Sequence, residues 1–322
     1  MASGETYMKR MSNWRTLVLL ATACGGATTQ TQAAFNIEFD YSYDNGGFFN
    51  AQRKTLLESV ATLYEARIAD TLGAITPGGG NTWTIQFYNP NDGTLASVVD
   101  PTISADTLKI YVGARAMGGG TLGVGGYGGV ASGSGNGGFI SAVSTRGQSG
   151  STGNSSTATD FAPWGGSISF NSGASWYFDT DPSTTESFVG QNDFYSVALH
   201  ELGHVLGIGT APSWDHLVNG SHQFTGANAT TVYGGNVPLE TDDGHFQDGL
   251  TSHLLGPGAV QETAMDPTIT TGTRKYITEL DLAALKDIGW EIATIPEPNS
   301  VALMGLGSLG FYLLIHRRKR NA

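Results

Sequence analysis

His200-Glu201-Leu202-Gly203-His204 sets two imidazoles and a carboxylate within five residues, the types and spacing from which a hydrolytic zinc site is built. With 7 His in 322 residues the arrangement is rare by chance. On a helix, positions four apart differ by about 40° around the axis, so His200 and His204 share one face. Glu201 lies beside that face, where a carboxylate reaches a water at the metal without binding the metal itself. That position suits a general base.

A catalytic zinc site holds three protein ligands and leaves a fourth position open. In the longer pattern HExxHxxGxxH the last His is the third ligand. Here Gly207 is present, but Thr210 stands at the final position, and a threonine hydroxyl is a poor zinc ligand. The donors further on are Asp215, His216, His222, His245, His253 and His316. Spacing alone does not choose among them. A Ser213-Trp214-Asp215-His216 turn folding back on the metal is one solution, and an exposed loop histidine is the ordinary reading of His222 and His253.

The motif needs a helix to carry it, and one is legible over residues 192–207. Asn192 and Asp193 suit an N-cap, and Gly207 suits the left-handed position after the C-terminus. Ala198, Leu202, Val205 and Leu206 gather on an arc separate from the histidines, so one face serves a metal and another a core.

Gly244-His245-Phe246, reached 40 residues after His204, and Ala264-Met265-Asp266-Pro267 beyond it carry a resemblance to the leishmanolysin-like metzincins over residues 193–290. In that family the helix ends at the glycine, an insertion intervenes, a third His follows, and a Met-turn lies beneath the metal. The resemblance implies Zn2+ bound by His200, His204 and His245, a general-base role for Glu201, and a Met-turn at Met265. It also implies an α+β fold. The catalytic domain would be two-lobed, with a twisted mixed sheet packed on a backing helix and the HExxH helix, and a smaller lower lobe ending in a C-terminal helix. The family's disulfides have no counterpart in a chain with 1 Cys, so the resemblance reaches the site rather than the whole architecture. The Tyr that many metzincins place after the Met-turn to stabilise the oxyanion has only a weak counterpart in Tyr276.

Both ends read as signals. Lys9, Arg10 and Arg15 precede the apolar run from Leu17 to Ala23, and Gln32-Ala33-Ala34 supplies small residues, so residues 1–34 look like a secretory signal peptide, with Met8 or Met11 as alternative starts. A lipoprotein signal at Cys24 would want a leucine where Ala21 stands. Cleavage near Ala34 leaves a mature chain without cysteine, hence without disulfides or a cysteine switch. At the other end Pro296-Glu297-Pro298, the apolar segment 301–315 and the basic tail His316-Arg-Arg-Lys-Arg320 resemble a bacterial PEP-CTERM sorting signal over residues 294–322, which an exosortase-type enzyme processes. A plain anchor in the cytoplasmic membrane is the other reading. Either reading exports residues 35–293, to the medium, the cell surface or the extracellular matrix, or leaves them tethered outside the membrane.

Residues 35–298 carry 27 acidic and 9 basic side chains, a balance of −18, which argues against a nucleic-acid partner. Asp179/Asp181 and Asp242/Asp243 raise the question of Ca2+, but neither pair sits in an EF-hand loop, and solvated acidic faces are the ordinary explanation. Alternation at Phe35/Ile37/Phe39/Tyr41/Tyr43 predicts a first strand. Helical spacing from Leu56 to Leu72, capped by Asn50 and ended by Gly73, predicts a long helix after it. Trp83/Ile85/Phe87 and Leu108/Ile110/Val112 predict two further strands. Residues 113–153 hold 16 glycines in 41 residues and read as a long surface loop, either an insertion near the cleft or an irregular run of glycine-rich strands. Residues 165–171 alternate in a short strand pattern just before the zinc helix, and the resemblance to metzincins implies that this strand is the exposed edge with which an extended substrate pairs. Trp176 and Tyr177 suit subsite walls or core packing. Thr278 predicts the cap of a final helix with Leu280, Leu282, Leu285 and Ile288 as its apolar positions.

The function expected of residues 35–293 is zinc-dependent endopeptidase activity on a polypeptide. A non-catalytic surface or matrix protein stabilised by zinc, and a zinc hydrolase of a non-peptide amide, are the alternatives.

Overall fold

The computed structural model describes residues 34–293, except 180, 182–183, 185 and 256–258. The signal-peptide segment 1–34, but for its last residue, and the sorting-signal segment 294–322 lie outside the described residues. The described chain is α+β, with several small sheets and six helices.

In chain order the main elements are β1 (Asn36–Asp40), α1 (Ala51–Glu65), β2 (Thr82–Tyr88), β3 (Leu95–Val99), β4 (Thr107–Arg115), β5 (Gly123–Tyr127), β6 (Gly129–Ser134), α2 (Gly137–Thr145), β7 (Gly165–Asn171), α3 (Phe194–Val205), α4 (Pro212–Leu217), α5 (Ala227–Tyr233) and α6 (Glu279–Asp287). The larger sheet has the order β1-β4-β7-β5, with β1, β4 and β7 parallel and β5 antiparallel to β7. A second, antiparallel sheet has the order β3-β2-β6.

Period-two patterning builds two cores from one sheet. Leu108, Ile110 and Val112 of β4 join Ile168 and Phe170 of β7 in the core shared with α1 and α3. Tyr111, between them in sequence, joins Trp83, Ile85 and Phe87 in a second cluster beneath the smaller sheet, its ring stacked 4.2 Å from that of Phe87. A strand buried on both sides reads as a continuous apolar run, as β4 does.

Two expectations need correction. Residues 165–171 are not an exposed edge: β7 lies between β4 and β5, and all seven of its residues are buried. The edge is β5, inside the glycine-rich stretch, which takes the strand form weighed for it rather than that of a loop and holds β5, β6 and the Asn136-capped α2. Glycine hides strand identity here because backbones meet where a side chain would stand. A methyl at Gly165 would overlap the Lys109 carbonyl, one at Gly166 the Gly126 carbonyl, and one at Gly128 the Trp164 ring. Helix α1 is also shorter than its apolar spacing predicts. Asn50 caps it as expected, but it ends at Glu65, and Ile68 instead forms an antiparallel bridge with Ile292.

Candidate metal centre

Helix α3 carries His200, Glu201 and His204, and its first turn is fixed by charge. The N-cap Asp193 accepts from the Ser196 amide at 3.2 Å and from the Ser196 hydroxyl at 2.6 Å. Arg274 grips the same carboxylate through Nε at 2.9 Å and Nη2 at 2.8 Å, and reaches Asp179 at 2.6 Å. All three side chains are buried, so the cluster is a rigid bracket rather than a solvated ion pair. Ala198, Leu199, Leu202 and Val205 then seat the helix in the core.

At its other end the chain leaves α3 through Gly207 and Gly209, at φ 103° and 72°, conformations that favour glycine. Gly209 packs so closely on the Gly244 carbonyl that a side chain there would overlap it. This contact closes the segment between 209 and 244 and returns His245 to the end of α3. Trp214, fully buried and stacked on Phe224 at 4.2 Å, donates its indole N–H to the Asp243 carbonyl at 2.8 Å, bracing the same return.

The three imidazoles converge. His204 Nε2 lies 3.0 Å from His200 Nε2 and 3.1 Å from His245 Nε2. Their Nδ1 atoms face the Ala264 carbonyl at 2.8 Å, the Ile208 carbonyl at 2.8 Å and the Asp242 carboxylate at 3.0 Å, for His200, His204 and His245 respectively. Those partners only accept, so Nδ1 is the donor in each contact, and in a neutral ring Nε2 then presents its lone pair. Lone pairs facing one another at 3 Å repel unless a cation lies between them. Burial drives the His200 pKa well below its usual value and takes His204 down to about 4, with the neighbouring imidazoles pushing the same way. Protons are thus an unfavourable choice of cation. Tetrahedral zinc with bonds of about 2.0–2.1 Å would hold its nitrogens roughly 3.4 Å apart, close to the observed spacing. The donor set fits zinc.

Support beneath the imidazoles comes from the Met-turn and α6. Met265 is fully buried under α3, and a methyl at Gly203 would overlap its sulfur. Asp281, the partner of Thr278 in the capping box of α6, accepts from the amides of Ala264 at 3.0 Å and Met265 at 3.2 Å. The Ala264 carbonyl then orients His200, so the start of the last helix acts on a ligand through one peptide unit.

Glu201 stands in a cleft of about 660 Å³ that the three histidines also line. Burial pushes its carboxyl up to about 8, while the Gly125 amide pulls the other way. One wall is Leu122–Gly125. Pairing at Asn171 N–H to Leu122 O and Gly128 N–H to Gly165 O turns the even-numbered residues of β5 toward β7. By the alternation of an antiparallel ladder, the N–H and C=O groups of Gly123, Gly125 and Tyr127 point to the free edge.

The other donors weighed for the third position lie elsewhere. Asp215 accepts from Ser155 at 2.9 Å, and neither it nor His216 lines the cleft. His222 pairs with Asp243 at 2.8 Å, and His253 is exposed on a short strand. Thr210 donates to the His204 carbonyl, finishing the helix. Tyr276 packs against Tyr195 and does not line the cleft; Trp176 packs in the core, and Tyr177, half-buried, stacks on Phe188. Asp179 is held by Arg274 and Asp242 by His245, so neither acidic pair considered for Ca2+ forms a cage. Among the described residues, the three histidines are the one group of His, Cys, Asp or Glu able to hold a metal. The bracing by Arg274, the Trp214–Asp243 bond and the grip of Asp281 on the Ala264 and Met265 amides escaped the sequence reading because the partners are far off in the chain; the Asp193 N-cap and the Thr278-x-x-Asp281 capping spacing were the local signals.

Residues 294–319 match the PEP-CTERM protein-sorting motif. Such motifs belong to exported proteins of Gram-negative bacteria and are processed by exosortase-type enzymes. No curated protein and no solved structure matches the chain. Among the described residues no helix is long and apolar enough to cross a membrane, and the apolar segment 301–315 lies outside them.

Proposed function

We propose that the chain is an exported zinc-dependent endopeptidase of metzincin-like design. The observation that carries the reading is the convergence of three imidazole Nε2 atoms in an open cleft that the carboxylate of Glu201 also lines. A structural zinc is closed by four protein ligands, whereas His200, His204 and His245 have no fourth protein donor beside them among the described residues. The Met-turn under α3, the antiparallel edge strand and the capped last helix support the resemblance to the leishmanolysin-like metzincins.

His200, His204 and His245 would hold the zinc, which supplies a Lewis acid that activates water and polarises a carbonyl. Glu201 takes the proton from the attacking water and passes it to the leaving amine. Its burial holds the proton between those two events, and the nearby cation favours the ionised form at the start. The outward main-chain groups of Gly123 and Tyr127, with the Gly125 carbonyl, offer an extended polypeptide a strand to pair with. The substrate is therefore read mainly through its backbone. After processing at the sorting motif the domain works outside the cell or on its surface.

The test is zinc content and casein hydrolysis, with an amidated sugar assayed alongside. Wild-type protein with one zinc should cleave casein. Glu201→Gln should keep the zinc and lose turnover by roughly 10³-fold or more. A fully active glutamine variant, or hydrolysis of the sugar amide alone, would overturn the reading.

A further inference from the structure

Six glycines line the cleft, and their reasons for being glycine differ. Gly119 and Gly120 have φ 68° and 82° with open space around them, so their backbone requires glycine. Gly209 combines φ 72° with the Gly244 carbonyl at its back, and a methyl on Gly244 would make only an ordinary 3.5 Å contact with Asp242. Gly123 and Gly125 have backbone conformations open to any residue, and what forbids a side chain at each is Glu201.

The two meet different parts of it. A methyl on Gly125 would press on the main chain of Glu201, 3.0 Å from its Cα, forcing β5 off α3. A methyl on Gly123 would stand 2.5 Å from Glu201 Oε1 and 2.8 Å from both Cδ and Cγ. Oε1 and Cδ are the far end of a flexible side chain, and Cγ moves with them on rotation about Cα–Cβ. The cheap response is for the carboxylate to retreat, with strand and helix left in place.

We propose that Gly123 is a positioning residue for the general base: the space left by its missing side chain is the recess that holds the Glu201 carboxylate against the metal site. The inference rests on the general-base reading of Glu201 and adds to it a cause for the placement. Real Cβ atoms essentially never approach heavy atoms closer than 3.0 Å, so an alanine would move the carboxylate by at least roughly half an ångström. A misplacement of about 1 Å in a reacting group can cost about 100-fold in rate.

The experiment compares Gly123→Ala with wild type in zinc content, melting temperature, KM and kcat, in two backgrounds. In wild type, alanine should leave zinc and melting temperature unchanged, leave KM within about threefold, and lower kcat about 10- to 100-fold. In Glu201→Ala neither Cγ nor the carboxylate is there to meet the added methyl, so Gly123→Ala should change the residual kcat by less than about twofold. Unchanged kcat in the wild-type background would overturn the proposal. So would an equal loss in both backgrounds, or loss of zinc or fold, since each marks a role unconnected with the carboxylate. Glu201→Gln is run beside them. If it stays active, the general-base reading itself fails; if it is inactive while Gly123→Ala is fully active, only the Gly123 proposal fails.

Discussion

A pair of imidazoles 3.0 Å apart is ordinarily a hydrogen bond with a shared proton. His200 and His204 are not such a pair, because the Ala264 and Ile208 carbonyls have already fixed the protons on Nδ1. Burial, which discourages a positive imidazolium here, acts with opposite sign on acids. Asp70, buried beside Glu291 and Asp160, is pushed up to about 7, though it accepts from the Glu291 amide at 2.7 Å. The folded protein then binds more protons than the unfolded chain between the ordinary carboxyl value of 3.8 and about 7. Stability falls as pH rises through that window, and the loss is complete above it. Asparagine keeps a carbonyl for the Glu291 amide and does not titrate. Asp70→Asn should therefore melt higher than wild type at pH 8, with the difference vanishing toward pH 4, in melts at the two pH values. A variant no more stable at pH 8 would show that Asp70 is already ionised without strain.

Elements position the site through joints that sequence patterning does not display. The start of α3 depends on Arg274, 81 residues from the Asp193 it grips. Arg274→Met would leave the buried carboxylates of Asp193 and Asp179 without their cation. Removing one partner of a buried pair typically costs about 3–5 kcal/mol, so denaturant titration should find a loss of that size, and a loss below about 1 kcal/mol would refute the bracket. Local signals served the helices well: Asn50, Asp193 and Thr278 cap α1, α3 and α6, and the apolar alternation of β2 and β4 was plain. They found β7 as a strand but not its place inside the sheet, and at β5 they left a loop-like glycine run, because residue choice there follows what approaches the backbone rather than strand propensity. They overshot at α1, because Ile68 and Leu72 are buried by pairing with distant segments instead of by a continued helix. Glycines two apart, as at Gly123 and Gly125, were the sequence signal of a strand under close approach.

Across the whole molecule, the site joins distant stretches of chain: β5, α3, the return at His245 and the turn at Met265 braced by α6. The sequence supplied the first two histidines and Glu201 directly from their spacing. The third ligand needed the resemblance, because nothing local reveals that Gly209 and Gly244 meet. The sorting motif at 294–319 adds export to this picture. The central claim is a zinc ion with three protein imidazoles and an open position. X-ray absorption at the zinc edge, on the zinc-loaded protein and on His245→Ala, tests it most directly. The account predicts three imidazole nitrogens and one solvent oxygen at about 2.0–2.1 Å in wild type, and loss of the bound metal in the variant. Four protein ligands, or an unchanged zinc environment in His245→Ala, would contradict it.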